Sequence, residues 1–454
     1  FISVMSTKKS TYEKAFIESN DQKRSVDIKG GIVSFDYYED IFSPTITARL
    51  RVVNDGNSIK PPDRQGTPDG SNQSIYNGLP LRGGERVSIK IAANSEKNKD
   101  LDFSKVDDYF YVSSITDVIS NPQSESFLLN LTSREAITNE TTRVTKKYPT
   151  SSTIDDSVKS ILENVLKTKK VGKLDKTQNK YGFIGNLRKP FTVLVWLAAK
   201  AVPGDTSGDG TAGFVFYQTQ KGFNFRSIDS MMGEEEKATY TFSGAQEAYS
   251  DDNQKQSTDF NILDFTTNKN QNLIEKLRLG TYSSYRMFYN PLTFEFTDPQ
   301  KGIFKLEDYV SKAKNLGDKL KLPKLSGSDG KDLGDTPTRI ITQCLDIGTM
   351  EKDVSTDENA DPFKYQSQAL MRYNVLFTQS VDMLIPLNTN LSAGDIIKCQ
   401  FPKISSGDKE EYDQEQSGLY MIKELCHHFD ADSSYTSMKL IRDTFGRYGA
   451  NNKK

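Results

Sequence analysis

The chain has 454 residues, of which 59 are basic and 61 acidic, so its formal net charge is −2 at pH 7. One hydrophobic core does not grow to this length, so we expect three or four domains. The near balance of charge lacks the basic excess of duplex-binding surfaces, which argues against nucleic acid as a partner.

Neither a membrane span nor a disulfide framework is expected. The longest near-apolar run, 191–202, is interrupted by polar residues and is shorter than the ~20 residues that a span needs. The three cysteines are odd in number and scattered, which suits a reducing compartment. The composition therefore predicts a soluble protein.

The first third of the chain shows the alternation of half-buried β-strands. Apolar residues occupy every second position in three runs, which are 46–52, 87–91 and 127–131. This period of two is typical of strands that turn one face toward a core. The stretch 54–77, rich in Gly, Pro, Asp and Ser, interrupts the strands and predicts an exposed loop.

From about Thr150 the apolar spacing changes to three and four, which indicates helices. Three elements are predicted in order: a helix capped within 151–153, a helix from Pro190 to before Pro203, and a hairpin of 214–219 with 223–226. Beyond Asp251 strands return, interrupted by an insertion at 305–377. Within it, 324–338 is expected to be mobile and 363–377 to be helical.

The clearest signal in the chain is an internal repeat. A turn with a small residue, a glycine and an acid precedes an alternating strand both at Leu81–Ile91 and at Leu391–Phe401, 310 positions apart. The same offset pairs Phe110, Val112 and Ile115 with Tyr420, Ile422 and Leu425, and an offset of 309 pairs Leu129 and Leu131 with Met438 and Leu440. A weaker match pairs Phe42 and Pro44 with Tyr289 and Pro291. Chance alternation is the competing explanation, and matched order, turn chemistry and spacing argue against it.

These patterns predict an α+β fold that is mainly β. It contains two similar antiparallel β-barrel domains, because closing each sheet removes its exposed edges. The expected domains are a first barrel at 1–135, an α/β domain at 136–257, a second barrel at 258–304 plus 378–446, and an inserted helical and loop segment at 305–377.

Two loop motifs near residue 210 are weak. A G-x-G-x-x-G pattern at 208–213 follows a predicted helix and precedes a strand, the reverse of its order in a dinucleotide fold. The opening of a calcium loop at 205–210 lacks its acid at the twelfth position, which is Phe216. We predict an ordinary loop, and a weak cation site within 205–216 stays an open alternative.

No residue stands out as catalytic. The two histidines, His427 and His428, are neighbours on a predicted strand, so they point to opposite faces and cannot both reach one metal. A nucleophilic pair of Cys399 with a histidine would lack an orienting partner. Carboxylates cluster at 155–156, 234–236 and 251–252, at a helix start or in polar loops. We therefore predict no catalytic, cofactor-binding or metal-binding residue, no cofactor and no enzyme activity.

Several stretches carry a family resemblance. They are Ser34–Asn54 with Phe42-Ser43-Pro44, Leu81–Ile91, Leu128–Thr142 with Ser133-Arg134-Glu135-Ala136, Gly280–Pro291 and Gly418–Phe445. In these stretches the chain resembles the baseplate hub proteins of contractile-tailed bacteriophages, relatives of the amino-terminal part of type VI secretion spike proteins. The patterns are soft and are weakest at 54–77 and 305–377.

The resemblance implies a homotrimer in the tail baseplate of a virion, made in the cytoplasm of the bacterial host. Each subunit would contribute two tail-tube-like barrels, so three subunits would present six modules and join a six-fold tail tube to a three-fold central spike. The implied partners are the tail tube protein, the tail spike protein and surrounding baseplate proteins. A tail-tube terminator or a secretion spike base is a related alternative.

Two further alternatives come from other classes of protein. The first is a hydrolase of cell wall or polysaccharide on a β-rich scaffold, since such an enzyme needs only two suitably spaced carboxylates. The second is a carbohydrate-binding module. It is disfavoured because Trp196 is the only tryptophan and lies in a predicted apolar helix.

Overall fold

The computed structural model describes residues 9–55, 59, 73–94, 98–204, 212–242, 258–268, 272–291, 293–296, 298, 302–306, 313–318, 333–345, 362–403 and 412–446. The protein is mainly β, which confirms the predicted fold class. No helix within these ranges is long and apolar enough to cross a membrane.

The amino-terminal part consists of strands with two short helices. The elements are β1 (Thr11–Glu18), β2 (Ser25–Asp27), β3 (Ile32–Asp40), β4 (Thr47–Asp55), α1 (Ile75–Gly78), β5 (Arg86–Ala92), β6 (Leu101–Phe103), β7 (Phe110–Ser120), β8 (Ser124–Ser133) and α2 (Arg134–Thr141). Most of the predicted loop at 54–77 lies outside the described residues.

The middle part mixes helices and strands as the spacing predicted. The elements are β9 (Lys147–Tyr148), α3 (Ile154–Ser160), β10 (Val171–Leu174), β11 (Phe183–Ile184), α4 (Pro190–Ala198), β12 (Phe214–Thr219), β13 (Gly222–Ser227), α5 (Ile228–Met232) and β14 (Thr239–Thr241). Helix α3 continues into one π-helical turn, Ile161–Val165. Both predicted helices and the predicted hairpin, β12 with β13, are confirmed.

The carboxyl-terminal part returns to strands around an insertion. The elements are β15 (Asp264–Asn268), α6 (Leu273–Arg278), β16 (Ser283–Asn290), β17 (Glu295–Phe296), β18 (Ile303–Lys305), β19 (Arg339–Cys344), α7 (Pro362–Val375), β20 (Gln379–Pro386), β21 (Ile396–Gln400), β22 (Gly418–Asp430) and β23 (Ser434–Arg442). Helix α7 confirms the predicted helix. Most of the segment expected to be mobile, 324–332, lies outside the described residues.

One large sheet runs through both ends of the chain. Its strand order is β15-β20-β23-β22-β3-β4-β8-β7-β5-β1-β2, with β6 beside β5, β21 beside β22 and β14 beside β21. The sheet therefore contains two runs of the same order, β1-β5-β7-β8-β4-β3 and β14-β21-β22-β23-β20-β15. We call these the first half and the second half. All pairings within the runs are antiparallel except β14 with β21.

The predicted offset is present in the strand pairing. Val87 lies opposite Phe110 on β7, and 310 positions later Ile397 lies opposite Tyr420 on β22. The weaker match of Phe42 with Tyr289 is wrong. Phe42 follows β3 in the large sheet, whereas Tyr289 lies on β16 in a separate four-stranded sheet, because the chain leaves the large sheet after β15 and returns to it only at β20.

The repeated turn has the same geometry in both halves. Gly84 and Gly394 both have φ of +90°, which residues with a Cβ rarely adopt. The N–H of Gly84 donates to the oxygen of Val112 at 2.7 Å, and that of Gly394 donates to the oxygen of Ile422 at 2.8 Å. In each turn the repeated acid accepts a backbone N–H three residues before it, Arg82 to Glu85 and Ser392 to Asp395. This explains why the turn residues repeat.

Each half has its own hydrophobic core, and the repeated apolar residues lie in it. The first core includes Val87, Ile89, Phe110, Val112, Leu129 and Leu131. The second includes Ile397, Cys399, Tyr420, Ile422, Met438 and Leu440. A third core belongs to the middle part, where α3 and α4 pack on one side of the β12–β13 hairpin.

The other side of the β12–β13 hairpin covers the second half of the large sheet. Val215 and Tyr217 pack with Ile396, Met421 and Ile441 of the sheet. Helix α5, residues 313–318 and α7 complete this layer, which we call the cover. Arg372 of α7 is fully buried and pairs with two buried carboxylates, Asp229 at 2.7 Å and Asp443 at 2.9 Å. The expected division into four domains stays a prediction.

Candidate assembly interface

The two halves meet edge to edge through one long strand. The first residues of β22 pair with β21, from Cys399 opposite Gly418 to Ile396 opposite Met421. The last residues pair with β3 of the first half, from Glu424 opposite Asp40 to Asp430 opposite Ser34. The pairing of β22 with β23 shifts between Ile422 and Glu424, at the point where the strand changes partner. This β22–β3 contact, the junction, is the place where one module joins another.

Polar groups connect the two strands on one face of the junction. The His428 imidazole hydrogen-bonds to Asp36 through Nδ1 and lies 3.4 Å from Asp430 through Nε2. The hydrogen bond to Asp36 raises the pKa of His428, and the charge of Asp430 adds to this. Lys423 Nζ lies 2.7 Å from the carboxylate of Asp40. Charge-assisted contacts therefore connect residues nearly four hundred positions apart.

The opposite face of the junction is buried. His427 stacks on Tyr37 with ring centroids 6.1 Å apart, and its Nδ1 lies 2.9 Å from Thr436 Oγ1. Burial lowers the pKa of His427 to about 4, so the ring is neutral at pH 7. The adjacent histidines thus point to opposite faces and have different roles.

Glu39 lies where both halves and the cover meet. It is buried, and its carboxylate accepts the Tyr37 hydroxyl at 2.7 Å, the Gln220 N–H at 2.8 Å and the Ala393 N–H at 2.8 Å. Gln220 belongs to the turn of the β12–β13 hairpin, and Ala393 belongs to the repeated turn of the second half. Burial raises the pKa of Glu39 to about 7, although the three donors favour the ionised form. One carboxylate therefore holds three parts of the protein together.

Among the residues that the structure describes, no strand pairs with the edges equivalent to the junction. The strand pairing relates residues 114–116 of β7 to 424–426 of β22 at the offset of 310, and residues 119–120 to 428–429 at 309. Strand β15 corresponds to β3 by its place in the repeated strand order. Within the described residues, 114–120 pair only with β8, and β15 pairs only with β20. Val118 and Ile119 are 42% and 58% exposed on this β7 edge. The β7 edge of the first half thus matches β22 of the junction, and the β15 edge of the second half matches β3.

The β7 edge is interrupted by a bulge. The pairing of β7 with β8 shifts between Thr116 and Ile119, and Asp117 has φ of +52°. Bulges protect exposed edges from unspecific pairing, which fits an edge that remains open in the single chain.

Among the described residues, those considered for chemistry form no common site. Cys399 is buried beside Met383, and burial raises its thiol pKa, which disfavours a nucleophilic thiolate. Residues 205–211, with most of both loop motifs, lie outside the described residues. Over the described ranges, no group of three His, Cys, Asp or Glu side chains is placed to hold a metal ion.

Two carboxylates of the candidate clusters, Asp155 and Glu234, are paired with basic neighbours. Asp155 accepts hydrogen bonds from Lys176 Nζ and from the hydroxyl of Thr177. Glu234 pairs with Lys173 and Arg226. Asp251 and Asp252 lie outside the described residues.

Sequence reasoning missed Glu39 and Arg372. A signal for Glu39 existed, because Phe35, Tyr37 and Glu39 alternate on one strand, so the acid occupies a position that faces the core. Arg372 gave no such signal. Its partners Asp229 and Asp443 are 143 and 71 positions away, and only the tertiary fold brings them together.

A phage protein is similar in sequence to this chain. The chain is 20% identical over 296 residues to a "Probable baseplate hub protein" of Vibrio phage KVP40. The chain resembles a phage baseplate hub protein. This match confirms the resemblance predicted from the sequence. It covers 64% of this chain and 66% of the relative, just under two thirds of that protein's length. No family model matches the chain.

One solved structure in particular shares the fold of this chain. A tail protein from Neisseria meningitidis MC58 aligns with a TM-score of 0.52 at 9% identity, over 95% of this chain and 97% of that one. An E. coli protein described as a component of the type VI secretion system aligns with a TM-score of 0.43 at 10% identity, over 95% and 78%. The chain thus shares the fold of the Neisseria tail protein.

Proposed function

We propose that this chain is a structural hub of a phage tail baseplate, without catalytic activity. It forms a homotrimer in which six similar modules make a ring that joins a six-fold tail tube to a three-fold central spike. The spike, the tube and surrounding baseplate proteins are its partners, and the assembled virion tail is its location. The similarity to a baseplate hub protein supports the assembly class.

The observation that carries the ring is the junction. Within one chain, β22 of the second half pairs with β3 of the first half. The equivalent edges, on β7 and β15, lack a strand among the described residues. If β7 of one subunit pairs with β15 of the next, every contact around the ring repeats the junction. Closed rings require such equivalent contacts.

Light scattering on the purified chain tests the trimer. We expect a mass about three times that of the 51.0 kDa monomer. Substituting lysines for Val118 and Ile119 should reduce the mass to that of the monomer, because charged edge residues oppose strand pairing. Val106→Lys is the control, since Val106 is 67% exposed and lies off this edge. A wild-type monomer at high concentration would contradict the proposal.

Zymography on peptidoglycan tests the absence of catalysis. We expect no cleared zone, because Asp155 and Glu234, the half-buried or buried carboxylates of the candidate clusters, are engaged in ion pairs and hydrogen bonds. A cleared zone that disappears when one carboxylate is substituted would overturn this part of the proposal.

A further inference from the structure

A strained turn on the middle part displays a leucine to solvent. The N–H of Arg188 donates to the oxygen of Gly185 at 3.0 Å, and the two central residues, Asn186 and Leu187, have φ of +48° and +55°. This is the geometry of a type I′ turn, which favours Asn followed by Gly. A residue with a Cβ at the second central position costs ~1–2 kcal/mol. Leu187 is nevertheless 66% exposed.

The turn is held firmly by a neighbouring segment. The N–H of Leu187 donates to the oxygen of Val144 at 3.1 Å, and the N–H of Val144 donates to the oxygen of Arg188 at 2.9 Å. A Cβ on Gly185 would lie 2.3 Å from the oxygen of Val144, so only glycine permits this close approach. The fold therefore fixes Leu187 in a costly conformation although little of its side chain is buried. Strain that persists at the surface is typical of functional positions.

Basic residues lie beside this leucine in the two paired segments. Residues 143–148 and 185–189 together contain five basic side chains and no acid: Arg143, Lys146, Lys147, Arg188 and Lys189. Lys189 is paired with Glu140. Lys146 and Arg188 are exposed and form no ion pair with any residue in the described ranges. We call the surface formed by 143–148 and 185–189 the Leu187 surface. It combines one exposed apolar side chain with neighbouring positive charges.

We propose that the Leu187 surface docks on an acidic protein surface that has an apolar pocket for the leucine. A central apolar anchor with a polar rim is the usual anatomy of a protein–protein contact. A nucleic acid would satisfy the basic rim, but its charged backbone offers no apolar pocket for Leu187. The observations therefore favour a protein. The Leu187 surface shares no residue with the junction or with the open edges of the proposed trimer.

Peptide binding to the full-length chain tests this surface. The probes are a labelled 20-residue helical peptide with glutamates on one face and leucines on the other, and an all-glutamate peptide of the same charge. Fluorescence anisotropy should show that the amphipathic peptide binds more tightly than the all-glutamate peptide. Leu187→Gly should lower the affinity for the amphipathic peptide about tenfold and leave the affinity for the all-glutamate peptide unchanged. The double variant Lys146→Glu with Arg188→Glu should lower the affinity for both peptides about tenfold or more.

The controls separate binding from stability. Leu187→Gly relieves strain, so its resistance to urea should equal or exceed that of the wild type. Asparagine also tolerates this backbone conformation. The variant Leu187→Asn should therefore lose peptide affinity to the same extent as Leu187→Gly. Val106→Gly removes an equally exposed apolar side chain elsewhere, and Lys14→Glu with Lys105→Glu makes the same charge change elsewhere. These controls should change affinity by less than about twofold.

Three results would overturn the proposal. The first is equal affinity of the amphipathic peptide for the wild type and Leu187→Gly. The second is tighter binding of a 20-base-pair DNA duplex than of either peptide, which would identify a nucleic acid surface. The third is a change of oligomer mass in Leu187→Gly, which would identify a second copy of this chain as the occupant.

Discussion

The two halves of the large sheet share a strand order but differ in what lies on their outer face. Three outer-face residues that neighbour one another across strands differ between the halves. In the second half they are apolar and buried: Ile396, Met421 and Ile441. The equivalent residues of the first half are, in the same order, the more polar Arg86, Tyr111 and Thr132. The cover packs on the apolar set. On the first half, a groove of about 920 Å³ remains open, lined in part by Arg49, Asn130 and Thr132.

This difference shows how one backbone template acquires two roles. The inner faces are equivalent, because both need apolar residues for a core. The outer faces are free to diverge, since a strand directs successive side chains to opposite sides. A few outer residues therefore decide whether a half accepts a cover or keeps a face open. Four predictions test this comparison.

The largest expected effect is the loss of the buried ion pairs that hold the cover. Arg372→Met should lower the free energy of unfolding by about 3–5 kcal/mol, because it leaves Asp229 and Asp443 buried without their cation. Burial already raises the pKa of Asp443. Urea unfolding measures the change. Lys159→Met, which breaks an exposed pair with Glu163, is the control and should cost less than about 0.5 kcal/mol. Equal effects would show that the cover does not depend on this cluster.

The contact of the cover with both halves should depend on pH through Glu39. Its pKa is near 4.5 when unfolded and about 7 when folded, so ionisation opposes folding. The free energy of unfolding should therefore fall as pH rises from 4.5 to 7, by up to about 3 kcal/mol. Glu39→Gln should flatten this dependence in urea unfolding across that range. Glu424→Gln on the junction is the control. An unchanged slope in Glu39→Gln would exclude Glu39 as the source.

Substitution at equivalent outer positions compares the halves directly. Met421→Ala should cost about 2–4 kcal/mol, because it leaves a cavity beneath the cover. Tyr111→Ala, at the equivalent and partly exposed position of the first half, should cost about 1 kcal/mol. Thermal or urea unfolding measures both variants. Similar losses of unfolding free energy would mean that the difference in packing between the outer faces has no energetic consequence.

The smallest effect concerns the junction between the halves. The hydrogen bond that His428 donates to Asp36 raises the pKa of the imidazole above its ordinary 6.5. This pair contributes stability that is complete below pH 6.5 and is lost as pH rises through the folded pKa. Asp36→Asn should remove that loss, with a smaller change than Glu39→Gln because His428 is partly exposed. Unfolding at pH 6 and pH 8.5 measures the effect, with the exposed Asp432→Asn as the control. A larger effect than that of Glu39 would reverse this ranking.

The sequence determined the mainly β character, the repeat and the core residues of both halves. Alternation is a local property, so the inward positions of β5, β7 and β8 could be predicted without knowing their neighbours. The repeated turn was equally readable, because its glycine and acid serve hydrogen bonds within a few residues and one adjacent strand.

Only the tertiary structure decided which strand lies beside which edge. Alternation places Glu39 toward the core, but it does not say that Gln220 and Ala393 meet it there. The pairing of β22 with β3 joins residues nearly four hundred positions apart, and its backbone hydrogen bonds are the same for every sequence. Backbone groups carry no sequence-specific signal, so the partner of a strand edge is decided by the packing of the whole molecule.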